Sequence, residues 1–278
     1  MIRTSKLELY IILATFILAL FVISIFWAIN RGETPKYTSI QPSQTNTANT
    51  VDLASTTKPE ASEGIPDSTI SKQSTVVYQG LAKLIEPTTV SALVLGDYIA
   101  ESRGASNQDL SSWYALVAND LICKYPGTIQ WHFKTSAVAS INDVLTYVPE
   151  ATKDTDLIVL CLGRQDVGRM RLTEFKQKYE QLIVKLKAIS PYADLILVVE
   201  PPVLSNLENN KFFPYRKIIN DLGQKHQHPV IDQWLAFIND ATPLSGLLAD
   251  NVNPNDKGYR VFADEVLKGF EGYLMPKI

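Results

Sequence analysis

The chain has 278 residues, 26 Lys and Arg against 29 Asp and Glu for a formal charge of −3, and 46% hydrophobic residues. That length allows one large domain or two small ones, since domains commonly run to about 100–200 residues. The balanced charge, with no basic stripe, excludes nucleic acid as a partner, because phosphate backbones are held by clustered Lys and Arg.

Residues 9–29, LYIILATFILALFVISIFWAI, carry no ionisable group except a Tyr phenol. At about 1.5 Å per residue such a run crosses about 30 Å of hydrocarbon, and a transmembrane helix is predicted. A cleavable signal peptide would have an apolar core of only about 7–15 residues followed by small-x-small. The stretch Phe26-Trp27-Ala28-Ile29-Asn30 does not offer that site, so the helix is predicted to stay as a signal anchor. Arg3 and Lys6 precede the run and Arg31 and Lys36 follow it, a nearly even split. The short end, residues 1–8, is placed in the cytoplasm, giving a single-pass protein of the cell membrane with its C-terminal part extracytoplasmic.

Residues 30–74 are rich in Ser, Thr, Pro, Gln and Asn and poor in large apolar side chains. Such a segment buries too little apolar surface to offset the entropy of ordering it, so a disordered tether is predicted, with a reach of roughly 35 Å. Beyond it, residues 75–278 show apolar runs at 91–95, 129–133, 157–162, 195–199 and 230–231. The runs are continuous rather than alternating, which suits parallel strands buried on both faces. Helical patterns fall between them at 110–124, 141–147, 172–189, 212–225 and 256–273, the last opened by Asn255 or Asp256 as N-cap. The predicted fold is a doubly wound α/β domain with five parallel strands, whose site lies beyond the carboxyl ends of the strands. Cys123 and Cys161 fall in a helix and a buried strand with no neighbour at metal-ligand spacing, so both are expected as free core thiols. No metal and no cofactor is implied.

Four segments sit at those strand ends: Gly96-Asp97-Tyr98-Ile99, the stretch 135–140 around Ala137, Gly163-Arg164-Gln165-Asp166, and Asp250-Asn251-Val252-Asn253. In order and spacing they resemble the SGNH (GDSL-type) hydrolase superfamily over about residues 88–275. The resemblance implies a flavodoxin-like sheet and a triad. Gly-Asp-Ser would carry the nucleophile, a glycine in the second block and the Asn of Gly-x-Asn-Asp would bind the oxyanion, and Asp-x-x-His would supply acid and base. Here Tyr98 stands at the serine position, Ala137 at the glycine, Gln165 at the asparagine and Asn253 at the histidine, while Gly96, Asp97, Gly163, Asp166 and Asp250 match. A phenol is a poor nucleophile and Asn253 cannot take a proton near neutral pH. Of His132, His226 and His228, two precede the last strand at the opposite edge of the sheet and one lies inside a strand, so none replaces the base.

The resemblance, whose anchored members handle acyl groups on envelope glycans, implies an inactive binding or scaffold protein for cell-envelope polysaccharide synthesis or modification. An envelope glycan or membrane-bound polysaccharide machinery would be its partner. The framework residues have a plainer use, with Asp97 and Asp250 as loop acids, Gly163 as a turn and Asp166 as an N-cap. Two alternatives stand beside this: an esterase or O-acyltransferase working through Ser102 or Ser136 with Asp250, and a purely structural anchor. An open groove beside Tyr98 would favour a ligand role, and a filled one would not.

Overall fold

The computed structural model describes residues 78–274. The expected span at 9–29 and tether at 30–74 lie outside the described residues. Among the described residues, no helix is long and apolar enough to cross a membrane.

Five strands form one parallel sheet in the order β2-β1-β3-β4-β5, with β1 Thr89–Gly96, β2 Thr128–Thr135, β3 Leu157–Cys161, β4 Asp194–Val199 and β5 Val230–Asp232. Every pairing is parallel. The crossovers carry α1 Gln108–Ser111, α2 Trp113–Ile122, α3 Ile141–Thr146, α4 Leu172–Ile189 and α5 Asn206–His226, followed by α6 Gln233–Asn239, α7 Leu244–Leu247 and α8 Asp256–Leu274. Alternation along β1 divides the core in two. Val90, Ala92 and Val94 face Trp113, Val117 and the apolar stripe of α8, whereas Leu93 and Leu95 face α3, α4 and α5.

The central strands β1, β3 and β4 are buried almost throughout, as continuous apolar runs demand. The run at 129–133 departs from that expectation. Strand β2 is an edge strand, and its residues alternate between exposed and half-buried, leaving His132 and Lys134 in solvent. The helix expected over 110–124 is two helices broken at Ser112, whose extended backbone (ψ 150°) and hydroxyl, accepting from Ala115 N at 3.2 Å, restart the second. Helix α5 begins six residues before the expected 212, because Ser205 caps it and Pro214 is tolerated inside it. Cys161 is buried as expected, but Cys123 is exposed at the end of α2 and is not a core thiol. Asn255, not Asp256, caps α8, its side chain accepting from Gly258 N at 3.0 Å.

Candidate functional site

The carboxyl ends of β1, β3 and β4 meet at a buried corner. Gly96 closes β1 against β3, and a Cβ there would stand 2.0 Å from the Cys161 carbonyl oxygen, so only glycine permits the approach. Asp97 follows, fully buried, with Oδ1 accepting from Ile99 N at 3.0 Å. Glu200, immediately after β4, is also fully buried, and Arg164, after β3, stands with Nε 3.3 Å from Glu200 Oε2. Arg164 Nη2 donates to the Pro201 carbonyl at 2.5 Å, and the guanidinium lies over the Phe212 ring, 4.4 Å from its centroid.

Two carboxyls and one guanidinium cannot all be charged at low cost in such a place. Burial, with the Glu200 charge adding to it, pushes Asp97 well above the usual carboxylate range. Burial also raises Glu200, with Arg164 opposing the rise. Asp97 Oδ2 and Glu200 Oε2 have no hydrogen-bond partner while both acids are ionised. A protonated Asp97 that donates to Glu200 satisfies both oxygens and leaves Glu200 to pair with Arg164.

Tyr98 lies on top of this corner, 9% exposed. Burial first, then the Glu200 charge, holds its phenol far above the ordinary value, so it stays protonated. Its hydroxyl has no protein partner among the described residues. Beside the ring lies an open depression of about 300 Å³, lined by Tyr98, Arg164, Gln165, Val167, Glu208, Lys211 and Val252. The groove is therefore present rather than filled.

The other framework residues hold loops. Gly163 has φ 139°, a conformation suited to glycine, and turns the chain from β3 into Arg164. Asp166 accepts from Ile141 N with both oxygens at 3.1 Å, so it caps α3 from another loop rather than capping its own. Burial pushes Asp166 up to about 7. Ala137 is half-buried beyond β2 and packs against the cluster that includes Tyr98, outside the depression.

The Asp250 loop borders the depression through Val252. Asp250 is exposed and accepts from Val252 N at 3.0 Å, Asn253 N at 2.6 Å and Asn253 Nδ2 at 2.7 Å, which lowers its pKa, the Asn253 amide foremost. Asn253 Oδ1 is covered and has no partner among the described residues. Leu204 N donates to Asn251 O at 2.9 Å and ties this loop to the one after β4.

Neither alternative serine is presented as a nucleophile. Ser102 is fully buried with φ 58°, and its Oγ accepts from Trp113 N at 3.1 Å. Ser136 is half-buried at the end of β2, where its N–H donates to Gly96 O, and it does not line the depression. His132 is exposed on β2, His226 bonds Glu180 at 2.8 Å, and His228, its ring stacked on that of His226, is held down at about 4 by burial. His226 and His228 flank the amino-terminal edge of the sheet.

The model of the GDSL-like lipase/acylhydrolase family matches residues 94–261, more than half of the chain and all of this site. The chain belongs to that family. Among solved structures, a lipase/acylhydrolase from Enterococcus faecalis superposes with TM-score 0.58 at 19% identity, covering 68% of this chain and 99% of its own. A catalytic mutant of an acetylxylan esterase from Geobacillus stearothermophilus gives 0.55 at 18%, covering 65% and 93%. The acetyl xylan esterase AlAXEase gives 0.52 at 21%, covering 64% and 98%. At these identities the GDSL likeness is one of fold. No curated protein sequence matches the chain.

Arg164, Glu200, Glu208 and Lys211 are the site residues that sequence reasoning missed. Glu200 had a signal, a lone acid ending the run Leu195-Ile196-Leu197-Val198-Val199, where burial demands a partner. Glu208 and Lys211 had none, because their helix was placed too late.

Proposed function

We propose that the chain is a GDSL-family protein that no longer hydrolyses esters and uses the old cleft to bind a cell-envelope glycan, or to scaffold machinery that builds one. The run at 9–29 would hold it in the membrane with the domain outside the cytoplasm. The observation that carries this reading is Tyr98, a buried, protonated phenol where the nucleophile belongs, beside a depression that is still open. Asn253, which cannot accept a proton, sits on Asp250 where the base belongs. The saccharide class is supported by fold neighbours named as esterases of acetylxylan.

The test is turnover of a short-chain aryl ester by the full chain, together with labelling by a serine-directed fluorophosphonate. Neither is expected above background. Labelling that disappears in Ser102→Ala or Ser136→Ala overturns the reading, since it exposes a working nucleophile.

A further inference from the structure

We propose that the depression beside Tyr98 receives a carboxylate of its ligand, so that the glycan it binds is acidic rather than neutral; this rests on the glycan-binding reading above. The polar groups lining it are mostly donors in want of an acceptor. Lys211 is exposed on the second turn of α5, and its amino group has no ion-pair partner among the described residues, although Glu208 lies one turn before it and lines the same space. Arg164 lines it too, with only 8% of its side chain exposed, and its covered Nη1 has no partner among the described residues. The Gln165 amide and the Tyr98 hydroxyl likewise have no protein partner among the described residues, and both can donate.

The charge count points to one negative charge. Of the charged residues that line the depression, Arg164 and Lys211 are positive and Glu208 is negative, a net single positive charge that matches a singly charged carboxylate better than a doubly charged phosphate. Glu200 stands behind the lining, facing the Arg164 guanidinium at 3.3 Å. Glu208 has the opposite use, because a lone carboxylate at the rim accepts from sugar hydroxyls. Val167 and Val252 offer apolar surface for the C–H face of a ring, and a space of about 300 Å³ is at the lower end of ligand pockets, enough for about one sugar unit.

The experiment is ligand-observed saturation-transfer NMR on the full chain with D-glucuronate, D-glucose and inorganic phosphate, each alone and in competition. Glucuronate is expected to bind and glucose to bind at least about tenfold more weakly, since glucose lacks the charge-assisted bond. Lys211→Ala, at an exposed position, should weaken glucuronate about tenfold while leaving glucose unchanged, and added salt should act in the same direction. Gln165→Ala serves as a second variant and should weaken glucuronate less. Equal binding of glucose and glucuronate overturns the acidic ligand but leaves the glycan reading standing. Phosphate binding without glucuronate binding overturns the carboxylate. If neither sugar binds, both readings fall together.

Discussion

The corner under Tyr98 and the loop of Asp250 both keep the acids expected of a hydrolase, yet they keep them in opposite ways. Asp97 is sealed from water beside Glu200 and Arg164, and burial holds its carboxyl well above the usual carboxylate range. Asp250 stands in solvent, and three donors from its own loop keep it ionised. The first acid is built into the strand ends, where its hydrogen-bonding side chain follows β1 and meets Glu200 after β4 and Arg164 after β3. The second is a local clasp whose loss would be felt within one loop. Retained acids are thus not evidence of retained chemistry, and the two regions can be separated by experiment.

The largest effect expected comes from placing a serine and a histidine at the two proposed catalytic positions across the two regions. Tyr98→Ser alone and Asn253→His alone should both be silent, one lacking a base and the other a nucleophile. The double variant pairs the new His with Asp250, where Asn253 now donates at 2.7 Å. It should raise aryl ester hydrolysis by on the order of a thousandfold over the parent, and Gln165→Asn should add about ten- to a thousandfold. Each variant is first shown to fold by its melt. A folded triple variant as inert as the parent means that Tyr98 and Asn253 are not the nucleophile and base positions.

The next effect is on stability and falls on the buried corner. Glu200→Ala strands Arg164 without its carboxylate and should cost about 3–5 kcal/mol in urea unfolding. Asp97→Asn should cost far less, since the amide still accepts from Ile99 and can donate to Glu200 as the protonated acid does. Asp250→Ala, in the exposed clasp, should cost about 1 kcal/mol, the scale of a lost cap. Equal losses at Glu200 and Asp250 would erase the contrast.

The smallest effect is a pH slope at Asp166. Its folded pKa, about 7, is above the unfolded value near 3.8, so the native state holds a proton that the unfolded chain has lost between those values. Stability from this group is therefore full below about pH 4 and declines as pH rises towards 7. Urea midpoints at pH 5 and 7 should differ in that direction. Asp166→Asn, whose amide oxygen still accepts from Ile141, should flatten the difference. Buried Asp97 contributes a slope of the same sign, which Asp166→Asn leaves in place.

The sheet was legible because β1, β3 and β4 are apolar on both faces, and that pattern survives in one dimension. Edge strand β2 was misjudged because Ile129, Trp131 and Phe133 are apolar while their neighbours face water, an alternation that His132 and Gln130 already displayed. The early start of α5 was hidden by the polar stretch Asn206-Leu207-Glu208-Asn209-Asn210 and by Pro214, and with it went Glu208 and Lys211 of the depression. Tyr98 and Gln165, named from motif spacing, line the depression, whereas Asn253 does not. The Asp97–Glu200–Arg164 corner could not be read from spacing, because its members are separated by more than 30 residues at their nearest and meet only when β1, β3 and β4 lie side by side.

One contact at the far edge of the sheet gives the domain a handle. Leu81, in the short turn Gly80–Ile85 through which the described chain begins, donates its N–H to Asp194 Oδ2 at 2.7 Å, at the first residue of β4. Lys83 clamps the same edge to Asp156, ahead of β3, at 2.9 Å. The chain is thus fastened at the amino ends of the strands, while the depression opens at their carboxyl ends. A pull applied through residue 78 would load this turn and the base of β3 and β4 first, and the mouth beside Tyr98 would be the last part of the sheet to feel it.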